Sequence, residues 1–314
     1  MPLLLAMPTA SRRHAGARHL DVLWEMAKES VKAWSDDFAP SMGAAIAFYT
    51  AFSIAPLLVI VIAIAGLVFG QDSAQGYLYS QLAGVLGAEG SNAVRAMVES
   101  ARSTTENFFA IIIGSVLLVV GATTVFAELQ SDLDRIWRVP AVKTRNGIWA
   151  LVRSRLLSLG LVVSIGFVML ISLVLSAALA ALSDWWSSYF EGFQWLLLAL
   201  DFVVSIGIVS ILFALMYKIL PRAEIAWSDV FVGAFVSSLL FAIGKVLVSV
   251  YVGKAAIASG FGAAGSLAVL LIWVYYSAQI FLLGAEFTWV FAHRLGSRRE
   301  TAPQGSANVA GVAG

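Results

Sequence analysis

Six long apolar segments constrain the fold of this chain more than any other feature of its sequence. About 20 consecutive apolar residues are enough to cross the hydrocarbon core of a bilayer as an α-helix. Inside that core every backbone N–H and C=O group needs a partner within the protein, and a helix supplies these partners within one segment. The strands of a membrane β-barrel would alternate polar and apolar residues, which these unbroken runs do not. The predicted spans are residues 44–69, 108–127, 156–182, 196–217, 230–252 and 264–291.

Composition places most of the surface of this chain in contact with lipid. Charged residues make up 12% of the chain and hydrophobic residues 60%, whereas about a quarter of the residues of a soluble domain are charged. The mean hydropathy of +0.87 points the same way. We therefore predict an all-α, polytopic membrane protein, a bundle of six transmembrane helices over residues 19–293. The flanking residues 1–18 and 294–314 are predicted to be disordered cytoplasmic tails.

Lysine and arginine set the orientation, because the cytoplasmic loops of membrane proteins carry an excess of both. With six spans, the connections on the side of the two termini hold sixteen of the 20 basic residues. The other side holds Arg95, Arg102 and Lys254, and Lys245 lies within a span. We therefore expect both termini, and the segment that follows the second span, to lie in the cytoplasm.

Two segments outside the spans have a helical pattern of their own. Residues 20–37 are predicted to form an amphipathic helix with tryptophan anchors that lies along the inner membrane surface. Its apolar side chains are Leu20, Leu23, Trp24, Ala27, Val31 and Trp34. The outer loop 71–107 is predicted to form two shorter helices interrupted near Gly87–Gly90, with Ser91 as the N-cap of the second.

The residue content disfavours several classes of chemistry. The chain has no cysteine, which excludes disulfides, thiolate metal sites and thiol nucleophiles. His14 and His19 lie in the N-terminal segment and His293 follows the last span, so we do not expect histidine-based metal or acid–base chemistry. The net charge of +1 offers no basic field for nucleic acid. We predict no catalytic residue, no metal, no cofactor and no nucleic-acid partner, and we expect that the protein is not an enzyme.

Ionisable residues inside spans are the sharpest functional signal, because an unpaired charge in hydrocarbon is costly. Asp201 lies in the fourth span, Lys245 in the fifth and Glu286 in the sixth. For Asp201 and Lys245, a structural ion pair and a place on a transport path are equally favoured. The two residues are predicted to lie at similar depths in the membrane. For Glu286, close to the cytoplasmic end of its span, the favoured interpretation is an interfacial carboxylate, with a place on the transport path as the alternative.

The first span combines small residues with a polar group that precedes a proline. Tyr49, Thr50 and Ser53 stand before Pro56, which removes a backbone hydrogen bond and bends a helix. Close helix packing with a kink is the favoured interpretation. The alternative is that Tyr49, Thr50, Ser53 and Pro56 line a polar cavity.

The second span is followed by FAELQSDLDRIWRVP, residues 126–140, which is rich in charge. Glu128 and Asp132 are four residues apart, as are Asp134 and Arg138, so the favoured interpretation is a solvated helix extension with weak intrahelical pairs. Alternatively, Glu128, Asp132, Arg135 and Arg138 form a site for a lipid head group or a protein partner, with the two arginines as anion donors.

Three stretches together resemble the YihY/BrkB family of bacterial inner-membrane proteins. They are GAAIAFYTAFSIAPLLVIVIAIAG (43–66), FAELQSDLDRIWRVP (126–140) and YVGKAAIASGFGAAGSLAVLLIWVYYSAQIFLLGAEFTWVFA (251–292). With IAWSDVFVGAFVSSLLFAIGK between them, the likeness covers about residues 25–293.

The resemblance implies a six-helix protein of the bacterial cytoplasmic membrane, in a family labelled both ribonuclease BN and serum-resistance virulence factor. Some members are linked to the export of lipid or envelope precursors. The ribonuclease label fits the residues poorly, because hydrolysing RNA needs positioned acid–base groups or metals and a basic groove. We expect transport or flipping of a lipid-like envelope molecule, with membrane lipids as partners. The rival hypothesis is a scaffold that transports nothing and anchors an envelope-assembly protein.

Overall fold

The computed structural model describes residues 11–103, 124–140, 194–254 and 263–299, and within them only helices and the turns that join or end helices occur. We number these helices in chain order. They are α1 (Ser11–Asp36), α2 (Ala39–Phe69), α3 (Gln71–Ser103), α4 (124–136), α5 (Gln194–Ile219), α6 (Trp227–Lys254) and α7 (Ala263–Arg294).

Four of the predicted spans coincide with helices: α2, α5, α6 and α7. Of the other two, span 108–127 enters the described part only at the start of α4, and span 156–182 lies outside it. Phe202–Ile219, Trp227–Val248 and Leu267–Arg294 are long and apolar enough to cross a membrane, and Ala39–Ile54 is a shorter apolar stretch. The protein is thus helical and integral to the membrane, while the total of six spans stays a prediction.

The last helix, α7, is the centre around which the described elements pack. It contacts α1, α2, α3 and α6, while α5 packs along α6 and reaches α7 through Tyr217. Its residues Leu282, Ala285 and Ala292 are completely buried. A helix that meets neighbours on so many sides keeps little surface for lipid, so α7 fixes the relative positions of the others.

Hydroxyl groups set against glycines hold α5, α6 and α7 together. The Tyr217 hydroxyl on α5 donates to the Phe281 carbonyl oxygen at 2.8 Å and lies 2.8 Å from the Ser237 hydroxyl on α6. A Cβ atom at Gly284 would collide with that Ser237 hydroxyl. Small residues at helix contacts allow such close approach, and interhelical hydrogen bonds then add to the packing.

Segment α3 is helical but reverses direction. The Ser91 hydroxyl donates to the Tyr79 carbonyl oxygen at 2.9 Å, and the Arg95 guanidinium carbon lies 5.6 Å from the centre of the Tyr79 ring. Twelve residues of straight helix would separate Tyr79 from Ser91 by about 18 Å. The chain therefore doubles back between them, in the interval that holds Gly87–Gly90. Ser91 ties the two arms together through a carbonyl, and the predicted N-cap role for its hydroxyl is wrong.

Both predicted tails are ordered closer to the termini than expected. Helix α1 begins at Ser11, inside the segment 1–18 for which we expect disorder. At the other end, the Ser297 hydroxyl donates to Asp229 Oδ2 at 2.6 Å, and the Arg298 guanidinium donates to the Glu224 carbonyl oxygen at 2.7 Å. Residues 294–299 are therefore part of the folded bundle, because they gain these contacts only in the tertiary structure.

Helix α1 turns one face to the bundle and an apolar face away from it. Met26 and Ser30 are buried, while Leu23, Trp24 and Val31 are exposed. Glu29 forms an ion pair with Arg294 on α7, with Oε2 and Nε 2.6 Å apart. The exposed apolar side chains have the position that the predicted interfacial helix requires, since its tryptophan and leucine groups must reach lipid.

The described helix ends divide between two ends of the bundle. Contacts between side chains tie the α1–α2 corner, the end of α4, the α5–α6 turn and the end of α7 together. We call this end the basic face, because the base-rich connections predicted to be cytoplasmic start or finish here. It comprises residues 36–39, 136–140, 219–227 and 294–299.

Single cysteines test the orientation. We expect Asn92→Cys to react with an impermeant maleimide in intact cells, and Ser131→Cys to react only after the membrane is opened, because the basic face is predicted to be cytoplasmic. Both parent residues are exposed, whereas Ser91 is only 6% exposed and would report poorly. Labelling of Ser131→Cys from outside would reverse the orientation.

Candidate functional site

Helix α4 ends at the basic face with an arginine where a glycine is usual. The Arg138 N–H donates to the Arg135 carbonyl oxygen at 2.9 Å and the Val139 N–H to the Asp134 carbonyl oxygen at 2.8 Å. This pair of bonds is the Schellman motif, in which the residue at Arg138's position adopts a left-handed backbone. Its φ is 52°, which costs a residue with a Cβ about 1–2 kcal/mol. Pro140 then prevents the helix from continuing.

The left-handed turn places the Arg138 side chain on α7. Its guanidinium carbon lies 4.5 Å from the centre of the Trp289 ring, within the range of a cation–π contact. His293 also lies against Trp289, with its ring centre 4.2 Å from that of Trp289. The His293 Nδ1 atom is 2.8 Å from the Trp289 carbonyl oxygen and must donate to it. Arg138, Trp289 and His293 thus form one stack along the end of α7.

Glu286 lies one turn deeper on α7 and is buried. Its side chain is 1% exposed, and its Oε1 atom has no hydrogen-bond partner. Asp37 and Arg138 are the charged side chains close enough to interact with its carboxyl group, Asp37 by a hydrogen bond and Arg138 by its positive charge. Glu286 is therefore not at the surface, as an interfacial carboxylate would be. We call Glu286, Asp37, Arg138 and Trp289 the Glu286 site.

The α1–α2 corner delivers Asp37 to this site. The corner is tight, and Phe38 has a left-handed backbone with φ 60°. The Arg135 Nε lies 4.0 Å from an Asp37 carboxylate oxygen, and the Arg135 guanidinium carbon lies 5.7 Å from the centre of the Phe38 ring. Two residues in a conformation that L side chains rarely adopt, Phe38 and Arg138, thus flank the same two carboxyl groups. Such strain persists only where the surrounding contacts hold it in place.

The intrahelical pair predicted between Asp134 and Arg138 does not form. Asp134 instead accepts from the Arg222 backbone N–H at 2.7 Å, and its second oxygen lies 3.6 Å from the Arg222 Nε. Gln130 on the same helix donates to the Leu220 carbonyl oxygen at 2.8 Å. Polar side chains of α4 therefore form hydrogen bonds with backbone groups of the α5–α6 turn, which have no partners within that turn.

Asp132 faces the protein interior and not the solvent. It is 5% exposed, on the same side of α4 as Leu129, Leu133 and Ile136, and its Oδ2 atom has no hydrogen-bond partner. It lies beyond the predicted end of the second span. Burial, reinforced by the negative charge of Glu128, raises the pKa of Asp132 to about 7, against an opposing effect of Arg135.

Asp229, in the first turn of α6, is a buried acid that the sequence did not single out. It is 1% exposed and accepts hydrogen bonds from the Ser297 N–H at 3.2 Å and the Ser297 hydroxyl. A Cβ at Gly296 would collide with its carboxylate. The only signal in the sequence was an acid in the first turn of a helix, which stabilises the positive end of the helix dipole in any case.

The cavity candidates of the first span lie along α2. Ser53 is buried, and its hydroxyl donates to the Thr50 carbonyl oxygen at 3.2 Å within the same helix. Tyr49 and Thr50 are half-buried, and α2 continues through Pro56, whose side chain is not among those described. A polar lining here stays a prediction.

The proposed partners Asp201 and Lys245 lie at nearly equal depth. Ser210 on α5 is 2.7 Å from Ser238 on α6, hydroxyl to hydroxyl. Asp201 lies nine residues before Ser210 on α5. On α6, the residue at the matching level is Leu247, nine residues after Ser238. Lys245 is two residues, or about 3 Å, from Leu247. Position 201 is about two and a half turns from Ser210, on the opposite side of α5. The Lys245 side chain is exposed and that of Asp201 is not described, so direct contact stays a prediction.

Chemically, the Glu286 site offers one unpartnered carboxyl oxygen, a second carboxyl group and a guanidinium group beside an aromatic ring. This set suits the binding of a proton or of an anionic group. In the described part of the chain, no three histidine, aspartate or glutamate side chains are placed to hold a metal ion.

Comparison with known proteins identifies the family. A family model described as Virulence factor BrkB matches residues 30–308, most of the chain. This match confirms the resemblance noted in the sequence. No curated protein and no solved structure matches.

The Asp201–Lys245 hypothesis predicts a compensating double variant. We expect Lys245→Ala or Asp201→Ala to lower the free energy of unfolding in detergent, because the remaining charge loses its partner in apolar surroundings. The double variant should regain part of that loss. Lys254→Ala, which removes a base at the end of α6, is the control. Additive losses from the two single changes would show that the groups do not interact.

The shifted pKa of Asp132 predicts a pH-dependent stability. A carboxyl group whose pKa rises on folding binds more protons in the folded state, so its burial lowers stability progressively from about pH 4 to about pH 7. We expect Asp132→Asn to unfold at a higher temperature than wild type at pH 8, and the two to converge towards pH 4. Asp36→Asn, at an exposed position, is the control. A difference in unfolding temperature that is constant with pH would contradict the shift.

Proposed function

Because the chain belongs to the BrkB family of virulence factors and buries ionisable groups within its membrane helices, we propose that it transports or flips a lipid-like envelope molecule. The membrane would be the bacterial cytoplasmic membrane, with both termini in the cytoplasm and membrane lipids as direct partners. We assign no catalytic residue and no cofactor, and propose that the protein is not an enzyme. Nuclease activity of the purified protein that Glu128→Ala abolishes would contradict this assignment.

The observation that carries the proposal is the burial of Glu286 without a partner for Oε1. An unsatisfied buried polar group lowers stability, and a purely structural helix would place an apolar residue there. Asp229, by contrast, is equally buried and accepts hydrogen bonds from Ser297. Ionisable residues inside membrane proteins mark substrate or ion pathways.

The basic face also has the chemistry to recognise an amphiphile. Arg135 and Arg138 keep exposed guanidinium groups, each beside an aromatic ring. Guanidinium groups bind carboxylate and phosphate through paired, charge-assisted hydrogen bonds. An anionic head group could therefore bind at these two arginines, while its chains lie against exposed apolar side chains such as Phe48 and Phe52 of α2.

A scaffold function has one observation in its favour. The elements of the basic face are joined by ion pairs and hydrogen bonds, among them Arg294 with Glu29 and Asp229 with Ser297. Such a face would be a rigid platform for an envelope-assembly protein. A buried Glu286 with an unpartnered Oε1 atom has no role in that function, which is why we place transport first.

Reconstitution in liposomes tests the transport proposal. We expect wild-type protein to translocate a fluorescent phospholipid, and Arg135→Gln with Arg138→Gln to slow it about tenfold or more, since a hydrogen bond to a charged group is worth about 1.5–3 kcal/mol and 1.4 kcal/mol is tenfold. Lys28→Gln with Arg299→Gln removes two positive charges from exposed positions and is the matched control.

Two outcomes would contradict the proposal. Wild-type protein that inserts and is folded but moves no labelled lipid would leave the scaffold function. An unchanged rate in the Arg135 and Arg138 double variant would exclude the head-group site at these arginines.

A further inference from the structure

Helix α7 carries a row of polar side chains along one line. Gln279, Glu286 and His293 follow one another at intervals of seven residues, which is close to two turns, so they share one side of the helix. That side faces α1 and α2, because the Gln279 amide nitrogen is 3.4 Å from the Ala39 carbonyl oxygen. The Oε1 atoms of Gln279 and Glu286 are both buried without a hydrogen-bond partner.

The charges around Glu286 are already engaged with other groups. Asp37 is paired with Arg135 at 4.0 Å, and Arg138 is stacked on Trp289. An ionised carboxylate in apolar surroundings costs several kcal/mol unless a counter-ion pairs with it. Two carboxyl groups that lie side by side share a proton more readily than they both ionise.

From this geometry we propose that Glu286 binds a proton taken up from the opposite side of the membrane and releases it to the basic face through Asp37, and that this transfer drives transport. The driving role rests on the proposed transport function; the proton site does not. In the loaded state, the Glu286 carboxyl O–H donates to the Asp37 carboxylate. On release, the proton passes to Asp37 and then to water, since the Asp37 side chain is 27% exposed. One proton is bound and one released in each cycle.

Few other ionisable groups face this site from the described helices. From α1, Glu29 is paired with Arg294, two turns further along α7. From α6, Asp229 is paired with Ser297. On α7 itself, His293 uses Nδ1 to donate to the Trp289 carbonyl oxygen, which leaves Nε2 to accept a proton. Asp37 is therefore the acidic side chain that links Glu286 to water.

Infrared spectroscopy of the purified protein in a lipid film tests the proton site without any transport. Measurements use the Asp132→Asn background, because Asp132 is a second buried carboxyl group with an unpartnered oxygen and could contribute to the band. We expect the C=O stretch of a protonated carboxylic acid, which shifts in D2O and disappears as the pH rises. Glu286→Gln should abolish this band, and Glu224→Gln, at an exposed position, should keep it.

A second variant protects the test against a folding failure. Glutamine has the size of a protonated glutamate, so Glu286→Gln should retain its elution volume and helix content. If Glu286→Gln fails to fold, the test uses Asp37→Asn instead. In that variant the band should remain but disappear at a lower pH than in wild type, because the neighbouring negative charge is gone. A band unchanged in both variants would overturn the proton site.

Transport in vesicles tests the coupling separately. With a fluorescent phospholipid probe in phosphatidylethanolamine and phosphatidylglycerol vesicles, we expect a pH gradient to accelerate translocation by wild type and not by Glu286→Gln. Translocation that is indifferent to the gradient would overturn the coupling and leave transport standing. A titrating band in a protein that moves no lipid would leave the proton site standing and remove the transport function.

Discussion

The absence of water in the hydrocarbon is the constraint on which this structure depends. Every hydroxyl, amide and carboxyl group inside the bundle must find a partner in the protein or lower its stability. Tyr217 meets this constraint by donating to the Phe281 carbonyl oxygen beside Ser237, and the missing Cβ of Gly284 creates the space. The helices approach closely because these hydroxyl groups and glycines are matched across α5, α6 and α7, and α7 becomes the common neighbour as a result.

The same constraint separates structural polar groups from functional ones. Close to the basic face, Asp229 binds Ser297 and Asp134 binds Arg222, and these hydrogen bonds hold the adjoining turns in place. Glu286 is buried as deeply as Asp229, yet one of its oxygens has no partner. Two residues with a left-handed backbone are close by, Phe38 next to Asp37 in the α1–α2 corner and Arg138 at the end of α4. Buried polarity without a partner, next to a strained backbone, is a stronger sign of function than the presence of charge alone.

Much of the secondary structure was predictable, while the partners of individual side chains were not. Apolar length alone located α2, α5, α6 and α7, because a spanning helix needs little more than length and hydrophobicity. The reversal of α3 agreed with the glycines near residue 87. In contrast, spacing along α4 suggested that Asp134 would pair with Arg138, and the structure pairs it with Arg222. An intrahelical pair is worth a few tenths of a kcal/mol, so the unsatisfied backbone N–H of a neighbouring turn easily outweighs it.

Hydrophobicity and backbone pairing act locally, so the order of residues is enough to identify this chain as a helical membrane protein. It also determined the family, because the motifs are contiguous. Which acids are buried, and which of these have partners, depends on the packing of the helices and is visible only in the fold. Glu286, Asp37 and Arg138 come from three separate parts of the chain, and no spacing rule relates them. Their meeting depends on how α1, α4 and α7 pack, and packing is a property of the whole bundle.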